Sequence, residues 1–292
     1  MRTRVHTMAT VGLIIAFCTT DTALAARKRP GEQPRLSVLC GAGIRPPMDV
    51  IARSFEQEEN CRVSVNYAGS GTLFGSIQAG VDADVYIPGD IWYIEQAAAK
   101  GLIASHRPLA WFVPVIAVQK GNPKGIRKLE DLAREDLEVG LGRADACAVG
   151  NASRDLLAAA GLSGRVKPVF EGLTVNHLAD QVKLNALDAG IIWDAVARQY
   201  ANGVDVIEID DADFHAVPLG AAVLKNAQHA RLARAFVDFA AADAGAKTFR
   251  NQHYQVPGKS IRIGCGSSMR PPIEDLAALF REKTGREALC NY

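Results

Sequence analysis

VLCGAGIRPP, residues 38–47, reappears as IGCGSSMRPP at residues 263–272, an offset of 225 (263 − 38 = 225). Aligning 40–67 with 265–292 requires no gap and matches nine of 28 positions: Cys40, Gly41, Arg45, Pro46, Pro47, Ala52, Phe55, Asn66 and Tyr67 each meet their own type. Background residue frequencies give roughly two matches, so a folding unit starts twice. The neighbours of the first copy show what kind of unit it is. LSVL (36–39) precedes a helical pattern with Met48, Ile51, Ala52 and Phe55 on one face, and RVSVN (62–66) follows it. Strand, helix and strand in that order read as a parallel pair joined by a crossover helix.

The alternation continues. A helix carries Leu73 and Ile77, then come DVYI (84–87), a helix over 92–100, the apolar VPVIAV (113–118), LEVGLG (137–142), a helix over 153–160, VKPVF (166–170), a helix over 177–187, AGIIW (189–193) and VDVIEI (204–209). AVPLGAAVL then precedes a helix with Leu232, Ala233, Phe236, Phe239 and Ala240 on its core-facing stripe. The pattern predicts an α/β fold with mainly parallel sheets in two lobes joined by a two-strand hinge near 113–118 and 210–217. The unit spans 36–257: lobe I is 36–113 with 214–257, and lobe II is 114–213. Residues 260–292 form a partial repeat of the N-terminal strand–helix unit.

Residues 1–25 read as a signal peptide, with Arg2 and Arg4, an apolar run over 11–17, and Ala23 and Ala25 before a cleavage site at Ala26. A soluble periplasmic protein is expected, because the apolar run is shorter than the about 20 residues of a membrane span. Phe17 stands before Cys18 where a lipoprotein signal wants a small residue, which disfavours a lipid anchor. A net charge of +1 and the lack of a basic patch argue against a nucleic-acid partner. Beyond the signal, Cys40, Cys61, Cys147, Cys265 and Cys290 are odd in number and show no CxxC spacing, which favours neither a zinc cluster nor a disulfide framework. Cys40 and Cys61 either pair or remain buried thiols. His106, His177, His215, His229 and His253 lack ligand spacing, so no metal site is expected.

Four predicted helix starts are rich in small residues: GAGIRPP, AGSGTL, ACAVGNAS and LTVNHL. Such starts present free N–H groups and the positive end of the helix dipole, which suit an anion. Each taken alone is also an ordinary cap. Phe74 breaks the GxGxxG pattern and no GK[ST] occurs, which excludes the usual nucleotide loops; Ala68 and Thr72 flank Ser70 where a nucleophile elbow needs glycines. Trp193, at the end of AGIIW, is placed either at a ligand crevice or in the core.

With these residues in view, the chain resembles the periplasmic molybdate-binding proteins that serve ABC transporters, within the type II solute-binding fold. The resemblance covers 36–257 and rests on YAGSGTL, ADVYIPGD (83–90), VGLGRADACAVGNASRDLL (139–157) and LTVNHLADQVKLNALDAGIIWDAV (173–196). It implies that neutral donors hold a dehydrated tetrahedral dianion, molybdate or tungstate, without a cofactor or a catalytic residue. The matching positions are Gly43, Ser70, Ala148, Val149, Val175 and Trp193. The family usually has serine where this chain has Gly43, and commonly tyrosine where it has Trp193. Arg45 is expected to compensate for the missing hydroxyl with a charge-assisted bond. Capture, closure of the lobes and delivery by a monomer to an ABC permease follow from the resemblance. Phosphate is disfavoured because its proton needs an acceptor, for which Asp84 and Asp194 are the candidates. Two alternatives stand beside this: a binder of another small anion such as sulfate, phosphate or an organic acid, and an exported hydrolase using Ser70.

Overall fold

A computed structural model describes residues 33–210, 215–256, 260–264, 270–284 and 287–291. The signal-peptide reading and Cys265 lie outside the described residues.

β1 (Arg35–Gly41) leads through a 3₁₀ turn (Ala42–Ile44) into α1 (Arg45–Glu59), and the chain returns in β2 (Arg62–Ala68). α1 starts where Pro46 and Pro47 fall in its first turn, which needs no N–H from them. It ends at Asn60, whose φ of 46° gives the left-handed cap that reverses the chain. Its Met48, Ile51, Ala52 and Phe55 face is buried. β1 and β2 pair in parallel, from Arg35 opposite Arg62 to Gly41 opposite Ala68.

Next come α2 (Ser70–Gln78), β3 (Val85–Ile87), α3 (Ile91–Ala99) and β4 (Ile103–Phe112). The chain then crosses at Val113 into β5 (Pro114–Gln119), β6 (Val139–Gly142), α4 (Ala148–Ala159), β7 (Phe170–Gly172), α5 (Val175–Lys183), β8 (Ala189–Trp193), α6 (Asp194–Gln199) and β9 (Val204–Ile207). It returns in β10 (Val217–Leu224), α7 (Ala230–Ala241) and α8 (Asp243–Asn251). One five-stranded sheet has the order β2-β1-β3-β10-β4, and the other has the order β7-β6-β8-β5-β9.

Each sheet is mainly parallel, as expected, with four strands running one way and a single reversed strand, β10 in the first and β5 in the second. β1 is parallel to β2 and β3, but β10 is antiparallel to β3 and β4; β5 is likewise antiparallel to β8 and β9. The reason is where the chain enters each sheet. β1 and β3 run towards the junction of the lobes, whereas β10 starts there, with Val217 opposite Phe112, and therefore runs the other way. β4 escapes the sequence pattern because Ala104 through Pro108 are exposed on the sheet edge, leaving no apolar run to detect. α4 begins at Ala148, five residues before the start expected at Ser153.

The core runs without a break from Leu36, Phe55 and Phe236 in the first lobe, through Phe112, to Val175, Trp193 and Val196 in the second. A separate cluster around Ile116, Leu132, Leu156 and Ile191 fills the far side of the second sheet. Cys40, Cys61 and Cys147 are buried free thiols. No helix among the described residues is long and apolar enough to cross a membrane.

The C-terminal segment forms β11 (Ser260–Gly264), α9 (Arg270–Thr284) and β12 (Glu287–Asn291) in a two-stranded sheet of its own. α9 has the bounds of α1 shifted by 225 (45 + 225 = 270; 59 + 225 = 284). The parallel register keeps the same offset, with Ser260 opposite Glu287 where the first copy has Arg35 opposite Arg62. Leu276, which corresponds to Ile51, is 57% exposed, whereas Ile51 is 1% exposed.

Candidate anion-binding site

The helix starts singled out in the sequence meet in one place. The 3₁₀ turn at Ala42, α2 at Ser70, α4 at Ala148 and α5 at Val175 surround a cavity of about 20 Å³. The first lobe contributes Gly41 to Ile44, Ala68 to Ser70 and Gly89; Phe112 comes from the crossing; the second lobe contributes Cys147, Ala148, Thr174, Val175 and Trp193. A water-sized group needs roughly 10–15 Å³ by the same measure, so the space between the lobes in this form suits a compact ion. None of the lining side chains is an acid or a base at neutral pH. Cys147 is the single titratable group, and burial pushes its thiol up to about 11, against the lowering effect of the Val149 and Gly150 N–H groups.

Ser70 is the best-defined donor. It is 3% exposed, its Oγ accepts the Gly89 N–H at 2.9 Å, and its carbonyl accepts the Tyr86 hydroxyl at 2.8 Å. With a lone pair of Oγ occupied by Gly89, the hydroxyl proton is left to donate to whatever fills the cavity. Thr174 caps α5 by accepting the His177 N–H at 3.1 Å. That leaves the N–H of Val175, the first helical residue, without an acceptor in its own helix. Ala148 opens α4 in the same way, behind the Cys147 N-cap.

The ends of the strands in both lobes thus carry four helix starts to one half-open, uncharged cavity, the architecture of a binding protein. Residues 36–255 match the family of bacterial extracellular solute-binding proteins. This chain belongs to that family. It is 29% identical over 257 residues to the molybdate-binding protein ModA of Mycobacterium tuberculosis, covering 87% of this chain and 96% of that protein. The periplasmic molybdate-binding protein of Azotobacter vinelandii superposes with a TM-score of 0.66 at 17% identity, over 76% of this chain and 100% of that one. The sulfate-binding protein SubI of M. tuberculosis superposes with a TM-score of 0.66 at 16% identity, over 88% and 94%. These structures share the type II fold with this solute-binding protein.

Of the seven residues put forward from the sequence, the cavity gathers Gly43, Ser70, Ala148, Val175 and Trp193. Trp193 is 1% exposed and stacks on Phe112, with ring centroids 4.9 Å apart and planes 2° from parallel, so it is core and cavity wall at once. Val149 does not line the cavity. It is the second residue of α4, its side chain is fully buried in the core, and its N–H faces the Cys147 sulfur.

Arg45 is also absent from the lining, contrary to the expectation that it takes over from the missing serine. It is exposed on the first turn of α1, and its guanidinium lies 4.0 Å above the Tyr67 ring on β2. The Tyr67 hydroxyl in turn donates to Asp49 at 2.5 Å. This cation–π contact holds the charge on the outer face of the turn. Nor does Gly43 simply lack a hydroxyl. A Cβ placed on it would lie 2.9 Å from Val175 Cγ1 and 3.2 Å from Val196 Cγ2, so the second lobe packs where the family's serine would stand.

The two carboxylates considered as proton acceptors serve the scaffold. Asp84, 3% exposed, accepts the N–H groups of Ser37 and His229, both at 2.9 Å. Asp194 accepts the Val113 N–H at 3.1 Å and returns its own N–H to the Val113 carbonyl at 2.8 Å, clamping the crossing point. Burial raises its pKa, opposed by the bonds from Val113 and Ala195. Neither lines the cavity. Phe112, Gly89 and Cys147 also line the cavity and are not among the seven residues put forward from the sequence. Cys147 was legible as the residue before α4, had the helix start been placed at Ala148.

Proposed function

We propose that this protein captures molybdate or tungstate between its lobes outside the cytoplasmic membrane and delivers it to an ABC permease. The observation that carries the reading is a small cavity bordered by four helix starts and the Ser70 hydroxyl, with no charged side chain in its lining. A dehydrated dianion loses its water shell on entry, and fixed N–H and O–H dipoles aimed at its oxygens offset that loss without a counter-ion. The N–H groups of the Ala42 turn, Ser70, Ala148 and Val175, the Ser70 hydroxyl and the Trp193 indole are the donors in this reading. The M. tuberculosis and A. vinelandii relatives, named as molybdate-binding proteins, support it.

The absence of a carboxylate from the lining favours a fully deprotonated ion over phosphate, whose proton would have no acceptor. Fixed donors favour the larger molybdate and tungstate over sulfate, around which they leave gaps. Capture rather than hydrolysis follows from the surroundings of Ser70: its Oγ is bonded to a backbone N–H, and neither histidine nor lysine lines the cavity to take its proton. Closure of two lobes over the ion then produces the form that docks on the permease. The protein acts as a monomer in the periplasm, with its N-terminal signal removed.

Calorimetric titration of the mature, ligand-stripped protein with molybdate, tungstate, sulfate and phosphate tests this. Tight binding confined to the first two is expected. Tighter binding of sulfate would transfer the assignment to the sulfate-binding branch of the fold, and turnover of an ester abolished by Ser70→Ala would replace capture with hydrolysis.

A further inference from the structure

Pro46 and Pro47 leave a specific gap in the anion-site turn. In a helical stretch the carbonyl of Gly43 would accept an N–H three or four residues on, and both of those residues are prolines without one. Gly43 is buried, so its carbonyl needs another donor. The hydroxyl of Tyr254 supplies it, from 211 residues away in sequence.

Tyr254 is held there from several sides. It follows α8 after His253, whose φ of 66° turns the chain back, and the Trp111 N–H donates to the adjacent Gln255 carbonyl at 2.7 Å. Its ring packs on Phe249 and Phe112, with centroids 5.4 and 5.3 Å away, and Phe112 is the residue stacked on Trp193. Through Phe112 and Trp193 the Tyr254 ring is packed against the aromatic wall of the cavity.

Resting on the anion-capture reading above, we infer that Tyr254 is a positioning residue for the site: its hydroxyl replaces the N–H groups that Pro46 and Pro47 lack and fixes the Ala42–Ile44 turn. With the Gly43 carbonyl tied away from the cavity, the turn keeps one orientation, and the N–H groups at its start, which have no acceptor within it, stay aimed at the ligand. Tyr254 touches the ion at no point in this scheme.

The test is a cycle of Tyr254→Phe, Pro47→Ala and the double variant, each full length. Phenylalanine keeps the ring packing and removes the donor, while alanine at 47 returns an N–H four residues after Gly43. Amide exchange at Ala42 and Gly43 in the ligand-free protein is expected to quicken roughly tenfold in Tyr254→Phe, with a molybdate Kd raised roughly tenfold. The double variant is expected to match Pro47→Ala within about twofold in both readouts. A lower melting temperature in Tyr254→Phe with unchanged Kd and exchange overturns the inference, because packing alone would account for it. A Tyr254→Phe defect that Pro47→Ala does not relieve overturns it too. Should Tyr254→Phe not fold, recovery of folding in the double variant supports the inference and continued failure overturns it. If wild type binds none of the four oxyanions while the exchange pattern holds, the function reading fails and the role of Tyr254 in the turn stands.

Discussion

Gly71 donates its N–H to the carbonyl of Ala146 at 3.0 Å, a backbone bond from the start of α2 in one lobe to the loop before α4 in the other. Beside it, a Cβ on Gly69 would lie 2.3 Å from both the Ala146 and the Leu173 carbonyl oxygens. The GSG turn is thus the place where the lobes come close enough for backbone to meet backbone, and glycine is required there for approach. Gly69→Ala is expected to fold with near-native stability in an open form and to weaken oxyanion binding by at least about a hundredfold, since no flexible side chain is available to yield. Scattering in solution would show it: wild type should compact on adding molybdate and the variant should not.

Ser70 and Arg45 separate the geometry found from the one expected. Ser70→Ala removes a buried hydroxyl aimed at the cavity and leaves the Gly89 N–H without its acceptor, so affinity should fall by about 1–3 kcal/mol. Arg45→Ala removes an exposed guanidinium stacked on Tyr67 and should change affinity less than twofold. Titration of both variants with molybdate at two salt concentrations decides the matter. A salt-dependent loss in Arg45→Ala would restore it to the site.

The sequence spelled out buried strands better than strands at a sheet edge. AGIIW has its observed bounds as β8 because a buried central strand is apolar throughout, whereas α4 and α5 begin at Ala148 and Val175, ahead of the starts expected at Ser153 and His177. β4 was hidden because an exposed edge carries no apolar pattern. Arg45 was misplaced because spacing along the chain does not tell which side of a turn a long side chain leaves from. Tyr254 was invisible as a partner of Gly43, since only the fold brings them together.

Restoring the family's serine at Gly43 should not improve the site. Its Cβ would press on Val175 Cγ1 at 2.9 Å, and the β-branched valine has few alternative rotamers to adopt. Gly43→Ser is expected to weaken molybdate binding, and Gly43→Ser with Val175→Ala to recover at least part of the loss. Tighter binding by the single variant would show that the second lobe retreats readily.

Asp90 gives the folded protein a pH response of its own. It caps α3 by accepting the Trp92 N–H at 2.8 Å, yet burial lifts its pKa to about 6, with Glu95 and Asp155 adding to the shift and the Trp92 bond opposing it. A carboxyl raised above its unfolded value of about 3.9 favours the folded state when protonated. Its contribution is therefore full below about pH 4 and is lost as pH rises through about 6. Asp90→Asn keeps a good cap and removes the charge. It should raise stability at pH 7.5 by about 1–3 kcal/mol and change it little at pH 4. Urea unfolding at the two pH values measures this, and equal gains at both would place the effect outside Asp90 ionisation.

The C-terminal unit repeats the opening of the fold without its surroundings. β1 lies between β2 and β3, whereas β11 pairs with β12 in a separate two-stranded sheet. The helix face that α1 buries through Ile51 is presented by α9 with Leu276 57% exposed, and none of residues 271–278 is buried. We propose that this segment is a partial copy of the first unit that contributes nothing to the oxyanion site. Removing residues 259–292 should leave the molybdate Kd within about twofold and lower the melting temperature by less than the roughly 2–4 °C that 1 kcal/mol represents in a protein of this size. A fall of 8 °C or more would mean that the exposed face of α9 is covered by the binding domain in solution. Restored stability on adding the 259–292 peptide in trans would then identify the contact as non-covalent docking.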